Sequence, residues 1–373
     1  MLLDSQRMCL YTTTYKFTMA LLRASSSRCT AILLKKFTTN RSVWTNSSPS
    51  CSRCALEILE RTGRSVAQAA ARAGGNIERF RKDACKGIGM LDLASVKDAD
   101  VAAEAAIRKW LCKRYGDEIR FFGKTSACLF QRDAEACKVL DDSVYWIVNS
   151  LDSPENVANG SHEYTVSIAL VSNRIPVLGV VHVPCTGETF VGARVGTDEC
   201  SSRAIKAYLD ADGNAMYAGA GAEDWRSVWR NENRVSAQHN SGDKDKKAPR
   251  VEIFHQNVTA DIATLLTNTE ADGADQSVAI RSCAALAIVR CAKGMFDVYP
   301  RLNYATLWDT FAAQVILSAA GGKVIFVDKT SGRCVEPSGG EYAAKFYKGS
   351  IVCFAPSSNG QRLLSKFLAS PDY

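Results

Sequence analysis

Residues 145–184 read YWIVNSLDSPENVANGSHEYTVSIALVSNRIPVLGVVHVP, and the fold turns on them. Val144–Val148 is rich in β-branched and aromatic residues and suits a buried strand. Tyr164–Val171 and Val177–Val183 are two more such runs. The turn-like Ser172–Pro176 separates them, so the pair reads as a hairpin or meander, and Thr189–Ala193 continues the pattern. Upstream, Leu56–Ala73 suits a helix. Asp100–Arg114 has helical spacing, with Val101, Ala105, Ile107, Trp110 and Leu111 apolar and Glu104 and Arg108 four apart as an ion pair. Ile119–Phe122 is a short strand between helix and sheet. Residues 51–200 therefore read as an N-terminal α+β domain with an antiparallel sheet.

Residues 201–373 read differently. The pattern is weak over Arg203–Asn240, and Ser241–Lys247 (SGDKDKK) is a polar loop. Val251–Phe254 is a strand, Ala284–Ala292 an apolar helix ended by Gly294, and Phe296–Tyr299 a short strand. Asp309–Ala320 is expected to be an amphipathic helix stopped by Gly321-Gly322. Lys323–Val327 and Ser350–Phe354 are strands, and Gln361–Leu368 is a terminal helix. Strands alternating with helices indicate a C-terminal α/β domain.

The chain has 373 residues, 46% hydrophobic and 23% charged, which excludes disordered, collagenous and low-complexity classes. It has no run of 18 or more apolar residues, so a membrane-spanning helix is not expected. The net charge is +7, but residues 1–50 hold seven basic residues against one acid, leaving about +1 for the rest. The sequence thus gives no specific nucleic-acid signal. The same 50 residues carry 16 Ser or Thr. Basic, hydroxyl-rich and acid-poor is the composition of a mitochondrial transit peptide, so 1–50 reads as a targeting leader to the matrix, starting at Met1 or Met19, or else as a disordered, non-targeting extension. Of the 14 cysteines, Cys283, Cys291 and Cys353 lie in apolar runs and read as free buried thiols. Cys51 and Cys54 form one isolated CxxC without the second pair that zinc needs. The four histidines show neither ligand nor triad spacing.

Four segments in order carry a family resemblance: VKDADVAAEAAIRKWL (96–111), RFFGKTS (120–126), the 145–184 stretch, and GMFDVYPRLNYATLWDTFAAQVILSAAGGKVI (294–325). Together they resemble the inositol monophosphatase superfamily, and YPR (299–301) with WDT (308–310) resembles its 3'(2'),5'-bisphosphate nucleotidase branch. The resemblance implies a layered α/β/α/β/α sandwich of the inositol monophosphatase / fructose-1,6-bisphosphatase type. It also implies a Mg²⁺-dependent phosphomonoesterase site between the two domains, typically lithium-sensitive. Mg²⁺ prefers oxygen ligands, and the family supplies them from a Gly-Glu-Glu, an Asp-Pro-(Ile/Leu)-Asp-Gly-Thr and a Trp-Asp element.

This chain departs from the pattern at those elements. Gly-Glu-Glu reads Gly123-Lys124-Thr125, and the second element reads Asn149-Ser150-Leu151-Asp152-Ser153-Pro154. Lys124, Thr125, Asn149 and Pro154 are therefore degenerate positions. Asp152 and Asp309 remain as metal ligands, Asp100 matches the early Asp of the family's N-terminal helix as a catalytic candidate, and Lys124 and Ser153 are candidates for substrate binding. Asp309 equally suits the N-cap of the helix that follows it, and Asp100 a structural role. The ligand positions Lys124, Asn149, Asp152 and Asp309 sum to −1 where the family carries about −4, too little for two divalent ions. Lys124 is expected to pair with Asp152 or Asp309. Glu135, Asp141, Asp142 and Glu155 read as surface acids.

Three functions are open. One is a pseudophosphatase with a binding or structural role in a mitochondrial assembly, without cofactor. Its partner would be an unknown mitochondrial protein or a second copy, with SGDKDKK or Lys345–Lys348 as contact points. Another is an active phosphomonoesterase with an altered site, using Mg²⁺ on a nucleotide 3'-phosphate or an inositol phosphate. The last is a phosphate-ligand sensor built on Lys124.

Overall fold

The computed structural model describes residues 49–85, 91–116, 120–129, 144–172, 175–195, 202–208, 210–212, 235, 251–254, 278–281, 283–327, 334–335 and 348–369. Residues 1–48 of the leader, SGDKDKK, Glu135, Asp141, Asp142, His239, His255 and 345–347 lie outside them.

The described residues begin with two helices, α1 (Pro49–Cys85) and α2 (Leu93–Tyr115). There follow β1 (Arg120–Gly123), the one-turn α3 (Lys124–Leu129), β2 (Val144–Asp152), the short α4 (Pro154–Ala158), β3 (Thr165–Ser172), β4 (Ile175–His182), β5 (Glu188–Arg194) and β6 (Ser202–Tyr208). The strands form one sheet in the order β1-β2-β3-β4-β5-β6, antiparallel except for the parallel β1–β2 edge. Next come β7 (Val251–Phe254), β8 (Val278–Arg281), α5 (Ala284–Ala292), β9 (Val298–Thr306), α6 (Leu307–Ala319), β10 (Lys323–Val327), β11 (Cys334–Val335), β12 (Lys348–Phe354) and α7 (Ser358–Ala369). The second sheet runs β11-β10-β12-β9-β7-β8, and β7 lies parallel to both β8 and β9.

Alternation along the strands builds the layers. Trp146 and Val148 of β2 join the core with α1 and α2, whereas Tyr145 and Ile147 join the core with α5 and α6. The far face of the second sheet is covered by α7, through Leu363, Leu364 and Phe367 against Val298, Ile325 and Val352. The order is helices, sheet, helices, sheet, helix. This is the sandwich the resemblance implied, stabilised by apolar burial at about 25 cal/mol per Å².

Four expectations change. α1 does not stop at Ala73, because Gly74 lies where a Cβ would be 2.7 Å from the His182 ring, so the glycine allows close packing instead of ending the helix. α6 is not amphipathic and starts at Leu307: every residue of it except Ser318 is buried, because it lies between the sheets. Gly179 of β4 lets it approach until a Cβ there would be 2.0 Å from the Ala312 carbonyl oxygen. The first sheet runs past residue 200 into β6. The pattern there is masked by Lys206, whose stem lies in the strand while its ammonium reaches Glu188 Oε1 at 3.5 Å. Finally, β9 is nine residues long and carries Arg301 inward.

Among the described residues, no helix is long and apolar enough to cross a membrane. Cys283, Cys291 and Cys353 are buried free thiols. Cys51 and Cys54 lie in α1. His182 is buried, bonded through Nδ1 to Thr189 Oγ1 at 2.8 Å.

Candidate active site

The parallel strands β1 and β2 end side by side, and their carboxyl ends carry the two divergent elements. Gly123 closes β1 and Lys124 opens α3. Asn149, Ser150 and Asp152 lie on β2 itself, since the buried strand continues past Val148 to Asp152. Ser153 then turns the chain in the left-handed region (φ 66°, ψ 63°), and Pro154 takes the first turn of α4, where its missing N–H costs nothing. A non-glycine residue there costs about 1–2 kcal/mol. The turn that a glycine would make easily is kept with a serine.

α6 brings Asp309 to these strand ends. Thr306, not Asp309, is the N-cap, so Asp309 sits inside the first turn with its side chain free for other contacts. Its Oδ1 accepts a hydrogen bond from Asn149 Nδ2 at 3.1 Å, and its Oδ2 faces Arg301 NH2 at 3.3 Å. Both side chains of this ion pair are about nine-tenths buried. Burial works against the Arg301 charge, but Tyr299, Asp309 and Asp152 hold its guanidinium above the ordinary range.

Asp152 Oδ2 accepts the Ala285 N–H at 3.1 Å and the Cys283 thiol at 3.3 Å, both at the start of α5. Burial, then the neighbouring Asp309 charge, pushes its carboxyl above the usual range. Asp100, on α2, accepts a hydrogen bond from Ser150 Oγ. Its carboxyl is also raised, by burial, against the opposing effects of Ser150 and Lys124.

Lys124 reaches into the same space. Its ammonium donates to the Leu151 carbonyl at 3.2 Å. Burial opposes its charge, but Asp309, Asp152, Asp100 and Glu155 in that order hold its pKa above the ordinary lysine value. The sequence expected a direct pair with Asp152 or Asp309. Instead the carbonyl of Leu151 takes the hydrogen bond, and Arg301 is the cation in contact with Asp309.

Sequence reasoning missed two residues. Glu104 was expected to pair with Arg108 four residues on along the helix. It is buried, and its carboxylate accepts the N–H groups of Thr125 at 2.7 Å and Ser126 at 2.9 Å, capping α3. A Cβ on Gly123 would lie 2.1 Å from the Glu104 carboxyl carbon, so the glycine makes room for that cap. Arg108 lies over the Phe121 ring instead. Arg301 appeared in the sequence only within a branch-marking tripeptide. The signal for it was the unbroken β9, which alternation at 296–299 did not reveal.

Among the described residues, no three acidic, histidine or cysteine side chains gather into a set that could hold a metal ion. The chemistry the site offers is a buried cluster of carboxylates from Asp100, Asp152 and Asp309, answered by Lys124, Arg301 and the Asn149 amide. The Oδ1 of that amide is buried and finds no hydrogen-bond partner among the described residues.

Comparison with known proteins agrees with this architecture. Residues 61–358 match the model of the inositol monophosphatase family. The chain is 25% identical over 234 residues to the 3'(2'),5'-bisphosphate nucleotidase CysQ of Escherichia coli (strain K12), covering 62% of this chain and 76% of that protein. It is 26% identical over 285 residues to inositol monophosphatase 3 of Solanum lycopersicum, covering 74% and 87%. The crystal structure of CysQ from Bacteroides thetaiotaomicron superposes with a TM-score of 0.57 at 21% identity, covering 80% of this chain and 98% of that one, which shows the shared fold. With a family match over most of its length and nucleotidases among its relatives, the chain belongs to the inositol monophosphatase family, in likeness to its bisphosphate nucleotidase branch.

Proposed function

We propose that this protein is a pseudophosphatase of the mitochondrial matrix: a family member whose hydrolytic chemistry is lost or strongly impaired, kept for a binding or structural role in a mitochondrial assembly. The observation that carries the reading is the occupation of Asp309. One oxygen is bonded to an amide N–H and the other faces a guanidinium, while the Lys124 ammonium stands among the remaining carboxylates.

The family is typically Mg²⁺-dependent. Asp152 and Asp309 are the residues that would hold Mg²⁺, and the ion when bound would activate water and offset charge on the phosphate. The donor set does not fit two such ions. Three carboxylates already answer two internal cations, and two divalent charges a few Å apart repel unless carboxylates lie between them. At position 154 proline offers neither hydroxyl nor N–H to a water or a phosphate. No catalytic step is therefore assigned to Asp100, and none to Lys124 or Ser153.

The buried Asn149 Oδ1 favours the second reading, an altered phosphomonoesterase with one Mg²⁺ at Asp152 and Asp309, because it is a spare oxygen ligand. The phosphate sensor is disfavoured, since a phosphate would meet Asp100, Asp152 and Asp309 beside Lys124. The decisive assay is phosphate release by the purified chain from adenosine 3',5'-bisphosphate and inositol 1-phosphate with millimolar Mg²⁺. Release no faster than from an Asp152→Asn/Asp309→Asn control supports the pseudophosphatase, and Mg²⁺-dependent turnover establishes the second reading. Fractionation of cells expressing the full chain tests the matrix location, and affinity purification from that fraction tests for an assembly or a homodimer.

A further inference from the structure

We infer that Lys124 is a tethered counter-ion: its ammonium takes the place of a free cation among the carboxylates of Asp100, Asp152 and Asp309, and so makes the site indifferent to divalent ions. The inference rests on the inactive reading and deepens it by naming what replaced the metal.

Three independent features support it. The first is position. Lys124 leaves the carboxyl end of β1 and reaches across to the end of β2, where it is anchored by the Leu151 carbonyl at 3.2 Å. The second is its charged surroundings. The acids that act on it come from four elements or turns: Asp309 from α6, Asp152 from β2, Asp100 from α2 and Glu155 from α4. Leu151 directly precedes Asp152 on β2, so the hydrogen bond holds the ammonium at the strand end that carries that carboxylate. The third is the composition of the rest of the cluster. Apart from Arg301, it offers carboxylate oxygens and the fully buried Oδ1 of Asn149, which has no hydrogen-bond partner among the described residues. Hard oxygen donors of this kind suit a hard cation, and the cation present is part of the chain.

Among the described residues no three acidic, histidine or cysteine side chains form a metal-holding set, so Asp152 and Asp309 need a further acidic ligand. A carboxylate at position 124 would supply it and remove the competing charge in one step. Arg301 would remain, facing one oxygen of Asp309.

The test uses the full chain and three forms: wild type, Lys124→Glu and Lys124→Met. Mn²⁺ binding is read from the loss of the free-ion electron paramagnetic resonance signal, and thermal midpoints are read with and without millimolar Mg²⁺. Wild type is expected to leave the Mn²⁺ signal and the midpoint unchanged. Lys124→Glu is expected to take up Mn²⁺ saturably and to gain in midpoint with Mg²⁺. Lys124→Met, which removes the charge and keeps the bulk, is expected to melt below wild type. Saturable uptake by wild type overturns both this inference and the inactive reading. Silence in both wild type and Lys124→Glu overturns this inference alone. If Lys124→Glu does not fold with or without Mg²⁺, Lys124→Met decides: a midpoint equal to wild type overturns the counter-ion role.

Discussion

Two buried polar clusters in this molecule are built by opposite rules. In the first, Glu78 of α1 is 9% exposed and fully answered: Arg81 grips it with two hydrogen bonds of 2.8 and 2.9 Å, and Tyr164 Oη and the Cys185 thiol both donate to it. Burial is the largest single effect on its carboxyl and opposes ionisation, but these bonds together outweigh it and bring its pKa to about 2. In the second, at the ends of β1 and β2, three acids face two cations, two of the acids are pushed up by burial, and an amide oxygen is left without a partner. A cluster that only holds a fold together is saturated and charge-balanced, like that of Glu78. The other gathers three carboxylates and two internal cations and leaves an amide oxygen without a partner among the described residues, although both clusters are buried.

The contrast can be broken in order of expected effect. Asp309→Ala removes the ion-pair partner of the buried Arg301 guanidinium and should cost about 3–5 kcal/mol in urea denaturation. A loss under 1 kcal/mol would show that the site does not depend on its ion pair. Tyr164→Phe removes one donor from the Glu78 carboxylate and should cost about 1.5–3 kcal/mol by the same measurement, with no change in Mg²⁺ response.

Acid sharpens the comparison. His182 is buried, and burial lowers its pKa to about 3, so the unfolded chain binds more protons between that value and about 6.5. Its contribution is complete above pH ~6.5 and is lost on acidification toward pH 3, by at most ~1.4 kcal/mol per pH unit. Glu78 adds a loss of the same sign that begins only below its ordinary value of 4.5 and continues to about 2. Stability measured against pH should therefore fall in two stages, and His182→Gln should remove the earlier one. The smallest effect is at the turn. Ser153→Gly should stabilise by up to ~1 kcal/mol by relieving the left-handed residue, offset in part by chain entropy, as read from the urea midpoint.

The parts legible in sequence were those written in local pattern. The strands around Tyr145 and Val166 alternate cleanly or run fully apolar, and the spacing from Trp146 to Asp152 identified the element that carries Asn149. What was hidden depends on what comes close in space. Gly74 looks like a helix stop until His182 is packed on it. Helix α6 looks one-sided until a sheet covers each face. Glu104 has a perfect surface partner four residues on, and only folding shows that the N–H groups of Thr125 and Ser126 claim it. Arg301 lies eight residues from Asp309 in sequence, and nothing local says that they meet. The substitutions at 124, 149 and 154 were legible as chemistry, but which atoms answer Asp309 required the assembled site.

The most direct test is thermal unfolding of the purified full chain with and without millimolar Mg²⁺. A site whose cations are its own Lys124 and Arg301 should give the same midpoint in both. A rise worth about 2.7 kcal/mol, expected at a hundredfold excess over Kd for an ion that binds only the folded state, would contradict it and return the protein to the metal-dependent phosphatases.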